Sequence, residues 1–427
     1  MINKKQILNI VLGLAIVLSG STWAQTPEEA EFEAFLKVHQ TEFSDYQAQQ
    51  NKEFEAFVTA WQDAEKQYLD KIAKRWQDPS LPSQKVWVQY TEKLDRRTSI
   101  DFETGEIVVE LLDSQSDEQA LAFAESQLNQ LAEVSVEQTL HKDPIYIQAN
   151  KNLAMQNIHI TESGVSKKVD TAAEYMPNKL ANNASQSSIH AVTKETKESK
   201  IQPVSMADQS VLSKKLVRQT LGGAKPKIVK ENNRTRISYQ LPSTTLSSQA
   251  KRYLPQVNQQ AKRWNLDPAL LLAIIQTESS FNPLARSAVP AFGLMQIVPA
   301  SAGKDVSAFL QGKPMLLSPE YLYKANNNVE AGSAYVHLLS HRYFKDVRDS
   351  QSRTYISIAA YNTGLGNVAK TLSGTKSLTR ASIAANLMSS EKIYQLMLQK
   401  LPAQETRNYL KKVVKRTAYY EEQLKRL

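Results

Sequence analysis

Asp267-Pro268-Ala269-Leu270-Leu271-Leu272-Ala273-Ile274-Ile275-Gln276-Thr277-Glu278-Ser279-Ser280-Phe281-Asn282-Pro283 reads as one capped helix that turns a carboxylate inward. Asp267 is a good N-cap, and Pro268 suits the first helical position, where its missing N–H is not needed. No Gly or Pro follows from Ala269 to Thr277, so the pattern predicts a helix from Pro268 to about Ser280, ended by Asn282-Pro283. Leu271, Ile274 and Ile275 lie seven, four and three residues before Glu278, so the carboxylate extends an apolar stripe. Desolvation and the negative end of the helix dipole both disfavour its ionised form, so its pKa should be raised. Such an acid can keep its proton near neutral pH and give it to a leaving oxygen. It can equally be a structural carboxylate bonded to a backbone amide or a lysine.

Two further stretches bear on that choice. Gly293-Leu294-Met295-Gln296 follows turn-forming Pro290 and places an amide at the edge of an apolar strip, as a sugar hydroxyl or N-acetyl group would need. Ala360-Tyr361-Asn362-Thr363-Gly364-Leu365-Gly366 ends an apolar helical run with a phenol and an amide just before two glycines. Each is weak alone. The Gly-x-Gly pair has no preceding strand and is no nucleotide fingerprint, and there is no Walker loop.

In this order the residues resemble the lytic murein transglycosylases of the goose-lysozyme-like superfamily. The pattern is Glu278-Ser279-x-Phe281-Asn282-Pro283, Ser287, Gly293-Leu294-Met295-Gln296, Asn328-x-x-x-Gly332-x-x-Tyr335, Ala360-Tyr361-Asn362-x-Gly364-x-Gly366 and Glu405-Thr406-Arg407-x-Tyr409, across roughly residues 250 to 420. The resemblance implies a mostly helical, lysozyme-like domain in which Glu278 is the sole catalytic acid/base. It also implies that Gln296, Tyr361 and Asn362 line a saccharide groove, that Ser287 and Tyr409 flank it, and that Met295 and Tyr335 belong to the same substrate-binding set. Thr363 stands where a smaller residue is usual and Val336 where Leu is common. The substrate implied is the glycan of peptidoglycan, with no cofactor and no metal.

The N-terminal half resembles, more loosely, the subfamily of membrane-bound lytic murein transglycosylase C, in a Phe102-Glu103-Thr104-Gly105-Glu106-Ile107-Val108-Val109 hairpin after a long charged helix. Members of that subfamily are lipoproteins anchored through a cysteine after the signal peptide, whereas this sequence has no Cys, so no stable lipid anchor is expected. Lys4 and Lys5 precede an apolar run from Ile7 to Leu18, and Ser21-Thr22-Trp23-Ala24 offers small residues before a cut after Ala24. The run is shorter than the ~20 residues of a comfortable span. A cleaved signal peptide over residues 1–24 and a periplasmic location follow, with an uncleaved N-terminal anchor as the alternative.

The expected fold class is α+β: residues 25–150 an accessory domain of helix plus small sheet, 151–233 a polar linker, and 234–427 the catalytic domain. In the accessory domain, Glu31-Phe32-Glu33-Ala34-Phe35, Glu42-Phe43-Ser44-Asp45-Tyr46 and Glu53-Phe54-Glu55-Ala56-Phe57 recur every 11 residues and continue to Tyr68. That period draws a nearly straight aromatic stripe on a helix from about Pro27 to Trp76, reading as a buried face before a sugar-stacking one. Val86 to Thr91 alternates like a strand, Arg97–Phe102 with Glu106–Leu112 reads as a hairpin, and Ser116 with Gln119 opens a helix to about Thr139. Residues 151–233 are rich in Ser, Lys, Asn, Gln and Thr and predict a flexible connection. Arg234 to Leu241 alternates again, a candidate strand for the first domain's sheet.

The charge is unevenly shared. Residues 251–427 hold 24 Lys and Arg against 11 Asp and Glu, and the remainder 28 against 32, so the whole excess of +9 belongs to the C-terminal half. A basic surface suits an anionic polymer, and murein carries peptide carboxylates. Nucleic acid is not the expected partner. Lys411-Lys412 and Lys415-Arg416 read as a solvated helix face, and other cell-wall proteins could meet the N-terminal domain. His337 and His341 have the spacing of a zinc pair, without the intervening Glu of a metalloprotease or an evident third ligand.

A retaining glycosidase needs a second carboxylate about 5 Å from the acid and an inverting one about 6.5 to 9.5 Å. Glu320, Glu330 and Asp305 are the nearby carboxylates in sequence, and none stands in a matched position. A single acid suits a substrate-assisted route to 1,6-anhydromuramoyl ends. A goose-type hydrolase using water and a non-catalytic murein-binding scaffold are the competing readings.

Overall fold

The computed structural model describes residues 27–113, 116–160, 165–167, 210–231, 233–242 and 244–426. The expected signal peptide, most of the expected linker, and the side chains of Phe32, Phe35, Phe43 and Tyr46 lie outside the described residues. The fold class is α+β, as the sequence predicts. Residues 51–427 form one compact unit.

Helix α1 (Pro27–Ala73) is 47 residues long. Where its side chains are described, the aromatic stripe is a packing face: Phe57 and Trp61 are fully buried and meet Phe292 at ring distances of 6.1 and 5.1 Å. The chain leaves the helix before Trp76, whose indole N–H donates to Leu94 O at 2.8 Å.

A five-stranded antiparallel sheet follows, in the order β1-β2-β3-β7-β6. Its strands are β1 (Val86–Tyr90), β2 (Arg96–Asp101), β3 (Glu106–Leu112), β6 (Lys227–Glu231) and β7 (Arg234–Gln240). Gly105, at φ 76°, closes the β2–β3 hairpin. The cross-strand pair Arg97 and Glu110 is buried as an ion pair at 2.6 Å, with the guanidinium 4.6 Å above the Trp76 ring. Strand β7 pairs with β3 over its whole length, from Glu106↔Gln240 to Leu112↔Arg234. The candidate strand of the sequence is therefore central in this sheet, and it ties the C-terminal helices to it.

The helix expected from Ser116 to Thr139 is two. Ser116 caps α2 (Asp117–Glu133), and Ser135 then makes a capping box with Gln138 to open α3 (Val136–His141). Next come α4 (Pro144–Ala154), the two-stranded pair β4 (Ile158–Ile160) and β5 (Val165–Lys167), and α5 (Lys214–Leu221).

The C-terminal half is helical. Helix α6 (Thr245–Trp264) leads to α7 (Pro268–Ser279), capped by Asp267 as expected. Every residue of α7 from Ala269 to Ile275 is buried, the signature of a helix packed on all sides. The remaining helices are α8 (Lys304–Gln311), α9 (Pro319–Tyr323), α10 (Ala325–His337), α11 (Ser350–Thr363), α12 (Leu365–Ser373), α13 (Leu378–Ala385), α14 (Ser390–Lys400) and α15 (Gln404–Leu424). Helix α15 lies along α7 and also packs on α11. One continuous core runs from Phe57 through the sheet to Tyr420.

Candidate active site

Glu278 sits in the last turn of α7 and is 9 % exposed. The chain then turns sharply, because Ser280 and Phe281 both take left-handed backbone, at φ 50° and 65°. Such conformations cost about 1–3 kcal/mol each for non-glycine residues and persist only where packing enforces them. Here Phe281 is fully buried and stacks on Tyr253 with ring centroids 6.2 Å apart and planes 4° from parallel. Ser279 Oγ donates to Leu294 O at 2.8 Å, tying the helix end to the Gly293–Gln296 turn.

That turn depends on one glycine and one asparagine. Gly293 has φ 75°, and a Cβ on it would fall 2.4 Å from Asn328 Nδ2 and from Leu322 O. Asn328, fully buried on α10, donates through Nδ2 to Phe292 O and Leu322 O at 2.8 Å, and its Oδ1 accepts from Met295 N at 2.7 Å. Gly332, one turn later, leaves room for Met295, whose Sδ would lie 2.3 Å from an added Cβ. The matched Asn and Gly of α10 thus seat the Met295-Gln296 backbone.

Gln296 is at φ 48° and buried, with Nε2 donating to Gly293 O at 3.0 Å and Oε1 left without a partner among the described residues. The Tyr361 hydroxyl donates to Met295 O at 2.7 Å, and its ring meets that of buried Tyr335 at 5.5 Å. Half-buried Asn362 follows it. Tyr409, buried on α15, lies beside the Glu278 carboxyl, close enough to pull its pKa down, although no group meets its hydroxyl in strict hydrogen-bond geometry. The structure therefore brings Glu278, Met295, Tyr335, Tyr361 and Tyr409 into one contact network. Ser287 is shown bonding only within its own loop: it accepts from Ala291 N at 3.1 Å and donates to Val289 O.

Burial pushes the Glu278 carboxyl up to about 8; the charge of Glu405 adds to this, while Tyr409 and Lys85 oppose it. Burial and the neighbouring Glu278 charge also hold the Tyr361 and Tyr409 phenols well above their ordinary range, so both stay neutral donors. A protonated carboxyl in a dry site, with phenols beside it, is arranged to donate a proton.

Several contributors were not marked in the sequence. Lys85 precedes β1 and pairs with Glu103 at the hairpin tip. Glu103 lies 3.7 Å from Arg416 Nη2, and Arg416 Nη1 donates to Thr277 Oγ1 at 3.0 Å, next to the acid. Asn282 Nδ2 donates to Gln84 O at 3.2 Å. Arg416 thus departs from the solvated face predicted for it, while Lys411, Lys412 and Lys415 are exposed as expected. No local pattern distinguishes Lys85 or Glu103, because the sheet's tertiary placement brings Lys85 to the acid and Glu103 to Arg416.

The other flagged carboxylates are engaged elsewhere: Glu320 with Tyr146, Glu330 with Arg263, and Asp305 with Tyr343. His337 stacks on His341 at 4.7 Å, and its Nδ1 lies 2.9 Å from Trp264 O.

Residues 255–383 match the Transglycosylase SLT domain. Residues 49–128 match the N-terminal domain of membrane-bound lytic murein transglycosylase C. The SLT match takes in Glu278, Gln296 and Tyr361, while Tyr409 and α15 lie beyond it. Membrane-bound lytic murein transglycosylase C of Serratia proteamaculans is 41 % identical over 177 residues, covering 42 % of this chain and 49 % of that protein. The Haemophilus influenzae protein of the same name is 37 % identical over 179 residues, with the same coverage. The chain spans about half the length of the curated relatives it matches. The 70 kDa soluble lytic transglycosylase of Escherichia coli overlaps 39 % of this chain and 24 % of its own at 27 % identity and a TM-score of 0.30. The two family matches meet different parts of one packed unit, since both fall largely within residues 51–427.

Proposed function

We propose that this protein is a peptidoglycan lytic transglycosylase that cleaves between N-acetylmuramic acid and N-acetylglucosamine. The observation that carries the reading is the Glu278 carboxyl, buried at the end of α7 and raised to about 8. Glu278 gives its proton to the glycosidic oxygen as the C1–O bond breaks, releasing N-acetylglucosamine as an alcohol. The 2-acetamido oxygen stabilises the cation developing at muramoyl C1. Glu278, now a carboxylate, takes the proton of the muramoyl C6 hydroxyl, whose oxygen bonds to C1. The acid is regenerated, a 1,6-anhydromuramoyl end remains, and no water is consumed.

The groove roles follow from the polar groups left available. Gln296 Oε1, without a partner among the described residues, accepts from a sugar hydroxyl or N-acetyl N–H. Asn362, Ser287 and the Tyr335–Tyr361 pair complete the saccharide contacts, and Tyr409 steadies the carboxylate stage. The hydrolytic alternative keeps the same acid and lets water attack C1. It draws support from Glu405, an exposed second carboxylate one turn before Tyr409 whose charge reaches Glu278. Export through residues 1–24 and action in the periplasm accord with the murein substrate. Among the described residues no helix is long and apolar enough to cross a membrane.

Glu278→Gln keeps the shape and loses the transferable proton. Release of soluble muropeptides from purified sacculi should fall by about 10²- to 10⁴-fold while sedimentation with sacculi persists. Digestion at the wild-type rate would remove Glu278 from the mechanism.

A further inference from the structure

A second concavity, of about 750 Å³, runs beside β1 and contains none of the catalytic residues. Strand β1 is an edge: β2 pairs with one side of it, and among the described residues no strand pairs with the other. The register fixes which groups are free. Lys85 O accepts from Phe102 N and Thr91 N donates to Arg96 O, so the odd-numbered residues bond toward β2 and the even-numbered ones point away. Val86 is already satisfied by the turn before it, where its N–H meets Ser83 Oγ at 3.2 Å and its carbonyl accepts from Ser83 N at 2.7 Å. Val88 and Tyr90 remain, and among the described residues neither backbone N–H nor C=O of either has a hydrogen-bond partner.

Unpaired strand edges invite further pairing, and proteins usually blunt them with a bulge, a proline or a cover. This edge has no bulge and no proline at Val88 to Tyr90; both side chains are buried against Ile72 and Trp76, and the two residues line the groove. The groove's charge is one-sided. Among the described residues Lys71, Arg96 and Lys142 line it with no ion-pair partner, His141 joins them, and Arg286 is spent on Asp143 at 2.9 Å, leaving Glu92 as the opposing charge. Trp87 and Phe123 supply apolar area between these cations.

We infer that β1 is a docking edge for an extended, acidic segment of a partner protein, which joins the sheet as a further antiparallel or parallel strand. Main-chain bonds to Val88 and Tyr90 supply the pairing, and Lys71, Arg96 and Lys142 select carboxylates on alternate residues, the usual division of labour in strand addition. The free edge is short, so the pairing is reversible, and affinity falls with salt as the cation rim is screened. The inference does not rest on the catalytic reading, since neither Glu278 nor any proposed saccharide contact lines the groove.

The test is fluorescence anisotropy of the whole chain with a labelled all-L hexapeptide of alternating Glu and Val. Two twins accompany it, one N-methylated on alternate residues and one with Lys for Glu. The hexapeptide should bind, and each twin should bind at least tenfold more weakly. Val88→Pro removes the outward N–H, a change that edge strands tolerate, and Lys142→Glu reverses a rim charge without touching the backbone. Both should weaken the peptide at least tenfold and leave sacculus digestion unchanged. Should Val88→Pro lose its circular dichroism spectrum, Lys142→Glu decides. The inference fails if the methylated twin binds equally, if both folded variants keep full affinity, or if no peptide binds at millimolar concentration. Soluble muropeptides binding in its place, or a concentration-dependent dimer that the peptide does not dissociate, would overturn it too.

Discussion

Glu278→Gln should make the protein more stable at alkaline pH while disabling it. In the folded chain the acid titrates near 8, against an ordinary 4.5, and the first cause is burial. Between those values the folded state keeps a proton that the unfolded chain has released. Stability is therefore full below the unfolded value, falls as pH rises through the window, and levels off above the folded value. Each pH unit is worth about 1.4 kcal/mol, so the full descent approaches roughly 5 kcal/mol, and about 3 allows for relaxation and water penetration around the buried carboxylate. Glutamine does not titrate and lacks this descent. Urea midpoints for both proteins at pH 5, 7 and 9 measure it, because other titrating groups cancel in the difference. The gap in favour of the variant should widen by about 3 kcal/mol from pH 5 to pH 9. A constant gap would refute the raised pKa, and with it the physical case for Glu278 as a proton donor.

Lys85→Ala removes a positive charge that favours the Glu278 carboxylate, so the alkaline limb of the kcat/KM profile for sacculus digestion should move to higher pH; an unmoved limb would show that the N-terminal segment does not tune the acid. Gly293→Ala forces a left-handed residue and a 2.4 Å contact with Asn328 and Leu322, and should cost about 2–4 kcal/mol in urea unfolding together with most activity. A fully stable, active Gly293→Ala protein would mean that the Asn328 seat is not required.

What could be read from sequence was local. The cap, proline and apolar spacing of residues 267–283 give α7 and the inward Glu278 directly, because helix periodicity places them without reference to the rest of the chain. Ser135-x-x-Gln138 is equally local, a capping box that separates α2 from α3 where the apolar pattern alone runs on as one helix. The aromatic stripe read correctly as a packing face at Phe57, yet its counterpart Phe292 is more than two hundred residues away and no period reveals it. Arg416 looked like one of four solvated cations. Only the placement of the β2–β3 hairpin tip beside α15 gives it Glu103 and Thr277 as partners. Likewise, alternation suggested the strand from Arg234, while its seat between β3 and β6 fixes how the halves are joined. The groove residues were named from a motif; their mutual support through Asn328, Gly332 and Met295 is a property of packing.

The central claim, that Glu278 drives intramolecular attack by the muramoyl C6 hydroxyl, is tested most directly by the mass of the products. Purified sacculi digested with the whole protein should yield muropeptides one water lighter than their reducing counterparts, with no incorporation of ¹⁸O from labelled water, and Glu278→Gln should yield neither species. Reducing ends carrying ¹⁸O would contradict the account and assign the same acid to a hydrolase.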